Sequence, residues 1–262
     1  MSQRTLYMAW QAEGPSRAWF PVGRLDIEPE MHRFRYIRGA EKAREQSGFW
    51  GLGEFPELYR SYSSRQLFAT FQNRVINPRR PDRELYLKRL ALPTDADPFE
   101  IMAVSGGKRV TDSYEVFPKL VKAQDGSFKC RFFLHGWQHT CLAAQDRLRQ
   151  LNPGEELYVA LELTNPRTTV AVQLQSTDYQ VLGWAPRYLV EDLSKAMIEV
   201  PKYRAQIAQV NALASDGDWG VQAQNYSHYV PTPPAWRVLV EMRGSWTKHV
   251  PMSGEDFQPL VD

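Results

Sequence analysis

Cysteine is almost missing from this chain: Cys130 and Cys141 are the only two among 262 residues. That is too few for the stapled framework of a small secreted domain, although a single bridge stays open. Long apolar runs are absent as well. No stretch approaches the roughly 18 residues of a spanning helix, and the start, Met1-Ser2-Gln3-Arg4-Thr5-Leu6, lacks the apolar core of a secretion signal. A soluble, cytoplasmic protein with no membrane partner is expected. Charge of one sign is scarce: a net charge of +2 does not announce a nucleic-acid binder. Aromatics, by contrast, are plentiful (8 Trp, 12 Tyr, 12 Phe), enough to fill cores and leave stacking surfaces. At 43% apolar, the chain can build one large domain or two small ones.

Catalytic signatures are also missing. There is no Gly-x-Ser-x-Gly elbow and no Cys-His-Asn set. Gly106-Gly107-Lys108-Arg109 lacks the second glycine and the Lys-Ser/Thr ending of a phosphate loop, and reads as a helix stop followed by a basic turn. The carboxylates are scattered. A non-enzymatic protein without a cofactor is expected, with an active site assembled from distant residues as the remaining alternative. Zinc is a candidate metal because His135, His139 and Cys141, with Cys130 upstream, are the right ligand types. In an extended strand, positions 135, 137, 139 and 141 share one face, with neighbours two apart separated by about 6.6–7 Å. A tetrahedral ion would then need a bend or bulge, so no metal is expected.

The pattern of apolar residues implies an α+β protein. Leu6, Met8 and Trp10 alternate, and a turn at Glu13-Gly14-Pro15-Ser16 leads to a strand from Ala18 to Leu25 and a third at Phe34 to Arg38. Helices follow. Ser63 or Ser64 can cap one through Leu67, Phe68 and Phe71. Pro81 opens another with Leu85, Leu87, Leu90 and Leu92. Asp97 caps a third with Pro98 at its first position, and Gly106 ends it. Strands return at Val116-Phe117 and from Phe128 to Leu134. Then come a polar-aromatic strand opening at His135-Gly136-Trp137-Gln138-His139-Thr140 and an alternating run from Leu157 to Leu163. That run breaks at Thr164-Asn165-Pro166, and Val170 to Leu174 and Val181 to Trp184 follow. Pro186 suits the first turn of a helix through Leu189, Leu193 and Met197. The segment from Lys202 to Leu213 fits either strand or helix. Asp216 to Gly220 and Pro231 to Pro234 read as loops, and Arg237 to Arg243 as a closing strand.

The order of strands, Asn-Pro turn, Leu-Gly-aromatic strand and Pro-Arg helix resembles a HIRAN domain, over residues 127–200. The resemblance implies a DNA-end-binding module, with a pocket formed by residues after the first-strand glycine, in the Asn-Pro loop and at the Leu-Gly-x position. In this chain those are Gln138 and His139, Arg167 and Thr168, and Trp184, with Arg187 adjacent. His139 and Trp184 offer flat faces for bases, and the two arginines offer phosphate contacts. Thr168 stands where the family's loop carries an acid, and Val170 where it carries an Asn. Trp184 also fits a core position, in which case the pocket holds no ligand.

Residues 5–118 resemble the N-terminal subdomain of HipA-type toxin kinases. The resemblance rests on Val22-Gly23-Arg24-Leu25, Phe34-Arg35-Tyr36, Ser64 to Leu67-Phe68, Phe71-Gln72-Asn73 and Pro98-Phe99-Glu100 to Gly106-Gly107, with Arg74-Val75-Ile76-Asn77 departing from the family's run. It implies a packing or regulatory module without chemistry. Between Arg60 and Arg89 eight basic residues face two acids, and Arg74, Arg79, Arg80 and Arg83 are candidate phosphate contacts. A solvated face with ordinary salt bridges is the alternative. The expected architecture is a HipA-subdomain-like part, 1–120, packed on a β-rich HIRAN-like barrel or sheet with an extension, 121–262. The expected function is binding of single-stranded DNA or DNA ends as a targeting or regulatory module, with a kinase or helicase-nuclease as a possible protein partner. An antitoxin-like subunit for a HipA-type kinase is the second reading.

Overall fold

The computed structural model describes residues 4–13, 17–109, 111–212 and 236–262. The fold is α+β. Its contacts divide into two units, one of Met1–Asn77, Ala96–Lys119 and Met252–Asp262, the other of Pro78–Asp95 and Leu120–Pro251. The sequence suggests two contiguous parts, and two segments depart from that scheme. Residues 78–95 group with the second unit, where Asn211 Nδ2 donates to the Arg89 carbonyl at 2.9 Å. Residues 252–262 group with the first, where Phe257 packs edge-on to Tyr7 at 4.9 Å and Pro259 bridges Ile37.

The first unit is built on an antiparallel sheet in the order β4-β3-β2-β1-β5. Its strands are β1 (Arg4–Gln11), β2 (Trp19–Ile27), β3 (His32–Tyr36), β4 (Tyr62–Ser64) and β5 (Tyr114–Pro118). Leu6 and Met8 of β1 join Val22, Leu25, Phe34, Tyr36 and Val116 in one buried cluster, as period-two alternation dictates. Helix α1 (Arg38–Ser47) contributes Ala40 and Ala43 to that core. The expected helix from Ser63 or Ser64 is a correction. Both serines lie in β4, paired with Arg33 and His32, and α2 (Ala69–Gln72) starts only later. Its first donors, the Ala69 and Thr70 amides, are met by the Glu54 carboxylate at 3.1 and 2.7 Å, a remote cap that no local motif reveals. Helix α4 (Pro98–Ser105) forms as expected, with a reciprocal Asp97–Glu100 capping box.

The second unit holds α3 (Arg83–Arg89) and a six-stranded sheet in the order β6-β11-β10-β7-β8-β9. Its strands are β6 (Ser127–Phe133), β7 (Glu156–Asn165), β8 (Thr169–Gln175), β9 (Val181–Trp184), β10 (Arg204–Val210) and β11 (Val238–Ser245). The ambiguous stretch after Lys202 is a strand in its described part, because it pairs on both sides, with β11 and β7. Just past β6, His135 exchanges two backbone hydrogen bonds with Trp184 of β9, at 2.9 and 3.0 Å, so the two edges of the sheet meet. Helix α6 (Arg187–Glu199) buries Leu189, Leu193 and Ala196.

The strand reading of His135 to Thr140 is a second correction. Gly136 sits at φ +68, in the left-handed region that favours glycine, and the chain turns there into a 3-10 helix, Trp137–His139. Positions 135, 137, 139 and 141 therefore do not share a face. Cys130 is buried, its thiol pKa pushed up to about 12 by burial and then by the charges of Glu241 and Asp192. Cys141 is exposed ahead of α5 (Leu142–Arg149), and both cysteines are free. The sequence-level turn at Gly14 to Ser16, the end of the ambiguous stretch at Leu213, and the loops at Asp216 to Gly220 and Pro231 to Pro234 lie outside the described residues.

Candidate nucleic-acid interface

The candidate site assembles where the sheet edges meet. Trp184 ends β9 opposite Gln173 of β8, which turns its ring to the outer face. It is half-buried. Its Nε1 donates to Glu162 Oε2 at 2.5 Å, and the same oxygen accepts from Asn165 Nδ2 at 3.0 Å. The six-membered-ring edge of the indole abuts Gly136: a Cβ built there would lie 2.8 Å from Trp184 Cε3 and 3.1 Å from Cζ3. The neighbouring Gly183, φ +153, leaves equally little room, since a Cβ would stand 2.8 Å from the His135 carbonyl oxygen. The indole is thus held by a charge-assisted hydrogen bond at Nε1 and by the backbone of Gly136 against its six-membered-ring edge.

Asn165 carries this arrangement into the Asn-Pro loop. Its Oδ1 accepts from the Arg167 amide (3.0 Å), the Thr168 amide (3.2 Å) and the Thr168 hydroxyl (3.1 Å). Thr168 therefore spends its polar group on the loop itself. The next residue, Thr169, holds φ +64, a left-handed conformation that is an outlier for a β-branched side chain. Such strain persists only where the surroundings over-determine it, and it gathers at ligand-binding sites. The loop leaves the Arg167 side chain exposed.

Arg187 opens α6, whose first turn carries no acid. The residue remains exposed, yet surrounding protein desolvates its guanidinium. That desolvation, and next the positive charge of Arg167, lowers its pKa. Neither guanidinium makes an ion pair or hydrogen bond among the described residues. Two like charges and the positive end of a helix dipole are mutually unfavourable without an anion. Gln138 and His139, exposed on the 3-10 turn that follows Gly136, complete the rim.

The structure thus gathers Gln138, His139, Arg167, Thr168, Trp184 and Arg187 in one unit. It does not do the same for the basic run. That run divides between the two units after Asn77. Arg74 is a correction: its side chain is 2% exposed, paired with Asp112 at 2.7 Å and bonded to the Gly107 carbonyl at 2.8 Å, so it reaches no phosphate. Arg89 is also buried. Arg80 makes a two-pronged contact with Asp82, and Arg83 donates to the Thr94 carbonyl at 2.5 Å. Arg79 is exposed.

Glu162 is the residue that sequence reasoning misses. It is a lone acid in the otherwise apolar run from Leu157 to Leu163, and that mismatch is its available signal. Among the described residues, no group of three or more His, Cys, Asp or Glu could hold a metal ion, and no helix is long and apolar enough to cross a membrane. No family model and no curated protein matches the chain. Among solved structures it is similar to a protein from Lactobacillus plantarum, with 13% identity and a TM-score of 0.30 over 45% of this chain and 97% of that one.

Proposed function

We propose that the second unit binds single-stranded nucleic acid, with a DNA end as the favoured form, and that the protein acts as a targeting or regulatory module for a partner. The observation that carries this reading is the pair Arg167 and Arg187, held close enough to perturb each other beside an indole held by Glu162, with no ion pair to either guanidinium among the described residues. An anionic oxygen relieves that repulsion, and the planar guanidinium forks suit phosphate. The Trp184 ring, half-buried and held in place, offers a base a stacking surface that costs little ordering. His139 adds a second flat polar ring on the rim. The HIRAN resemblance points to the same residues. Its barrel is in keeping with the hydrogen-bonded meeting of β9 and the end of β6.

Binding of a labelled oligothymidine to the full chain tests the reading. Trp184→Ala should weaken it by about 1–3 kcal/mol, while circular dichroism keeps the native spectrum. Wild-type affinity in folded Trp184→Ala and Arg187→Ala proteins would rule out the pocket.

A further inference from the structure

The outer face of the six-stranded sheet carries a second set of features, away from the Asn-Pro loop. On β7, Leu157 and Val159 turn into the core, so Glu156 and Tyr158 face outward. Gln206 of β10 pairs with Glu156, which puts Arg204 on the same face. Arg204 lies opposite Arg243 of β11, and Arg243 lies opposite Lys129 of β6. Three cations therefore cross three adjacent strands in one row. Like charges directly opposite in an antiparallel pair destabilise it.

Two carboxylates temper that row without balancing it. Glu241 is shared among Lys129 (2.8 Å), Arg131 (2.9 Å) and Arg243 (2.8 Å), and Glu156 meets Arg204 at 2.5 Å. Four cations thus face two acids. Lys129, Arg204 and Arg243 are at least half exposed.

Past Arg204 the face becomes aromatic. Tyr158 stacks on Tyr179 with ring centroids 5.4 Å apart, and both rings are exposed. Tyr179 holds φ +64 in a turn closed by its amide on the Ser176 carbonyl at 2.9 Å. A bulky side chain adopts that conformation against a steric cost, and an exposed ring recovers little of it through burial. The pair connects to the candidate pocket along one face: Tyr158 lies opposite Gln175, Gln175 bonds Gln173 at 2.7 Å, and Gln173 lies opposite Trp184.

We infer that this face is a track for single-stranded nucleic acid leading away from the Trp184 pocket. Bases stack on Tyr158 and Tyr179, and phosphates run along Arg204, Arg243 and Lys129. Stacking platforms beside a cationic row are what sequence-tolerant single-strand binding requires. The inference rests on the pocket reading above and extends its ligand from an end to a longer strand.

Labelled oligothymidines of about four, eight and twelve nucleotides, within the usual site sizes, test it on the full chain. The variants are Tyr179→Asn, which the left-handed turn tolerates, Arg204→Ala/Arg243→Ala, and Arg187→Ala. Affinity of the wild type should rise with length. The two track variants should lose about tenfold on the longest strand and leave the shortest unchanged, whereas Arg187→Ala should weaken every length alike. Track variants that bind all lengths like wild type overturn the track and leave the pocket standing. A silent Arg187→Ala with strong track effects does the reverse. Absence of any binding at low salt overturns both, and displacement by polyglutamate as readily as by oligothymidine overturns the stacking assignment.

Discussion

Gly136→Ala perturbs the candidate pocket without removing any polar group, and its cost has two separable parts. Alanine at φ +68 carries a conformational penalty of about 1–2 kcal/mol. The added methyl would also lie 2.8 and 3.1 Å from Cε3 and Cζ3 of Trp184. The indole has little freedom to retreat, because its Nε1 is bonded to Glu162. Overpacking of this kind costs about 1–3 kcal/mol. If the ring swings out instead, the charge-assisted bond lost is worth a similar ~1.5–3 kcal/mol. Gly154→Ala supplies the control within the same unit, since Gly154 has φ +88 and open space around its missing Cβ. Urea denaturation of the two variants, followed by tryptophan fluorescence and far-ultraviolet circular dichroism, isolates the contact. Gly136→Ala should be less stable than Gly154→Ala by about 1–3 kcal/mol, with a shifted native emission and weakened single-strand binding. Equal stabilities and unchanged emission would refute the placement of the indole on Gly136.

Three further outcomes follow from the same structure. Arg74→Met should destabilise the first unit by about 2–4 kcal/mol in thermal denaturation, because it strands a partly buried Asp112, and should leave affinity for single strands unchanged. Removal of 252–262 should expose the Tyr7 face and remove the bonds of the Arg38 amide to Gln258 and of the Tyr36 carbonyl to Leu260. Hydrogen exchange should then show loss of protection in β1 and β3, and unchanged protection would contradict the assignment of this segment to the first unit. Glu241 is buried, which would raise its pKa, but Lys129, Arg243 and Arg131 hold it down to about 2. Its folded value therefore lies below the unfolded one of about 4.5. The stability it contributes is present above that unfolded value and is lost as pH falls toward about 2. Acid titration of stability should be shallower in Glu241→Gln; an identical profile would argue against the cation cluster.

How much of this is legible in the sequence depends on whether the decisive contact is local. Strands β1 and β7 are visible from their apolar alternation, β8 and β11 from short continuous apolar runs, and α4 because Asp97, Pro98 and Glu100 sit within four residues of one another. Helix α1 is not visible: its buried residues are Gly39, Ala40 and Ala43, whose small side chains make no conspicuous apolar stripe. The cap of α2 comes from Glu54, fifteen residues upstream of Ala69, and the acid that pairs with Arg74 is 38 residues downstream. Neither spacing leaves a local pattern. At the site, Trp184, Arg187 and the Asn-Pro loop can be named from the motif order. The turn at Gly136 looks like strand because Trp137 and His139 alternate with polar neighbours, and only the left-handed glycine breaks that period. Glu162 sits three residues before Asn165, yet its role depends on the distant Trp184 edge.

In the proposed site, Arg167 and Arg187, which make no ion pair among the described residues, hold the phosphates of a single strand beside Trp184. The most direct test is the salt dependence of oligothymidine affinity in the wild type and in Arg187→Ala. Each phosphate neutralised contributes a slope of about −0.7 in log affinity against log salt. The wild type should show a steep slope that falls by about 0.7 in the variant, with affinity reduced at every salt concentration. A wild-type affinity independent of salt, or a slope that Arg187→Ala leaves unchanged, would contradict it.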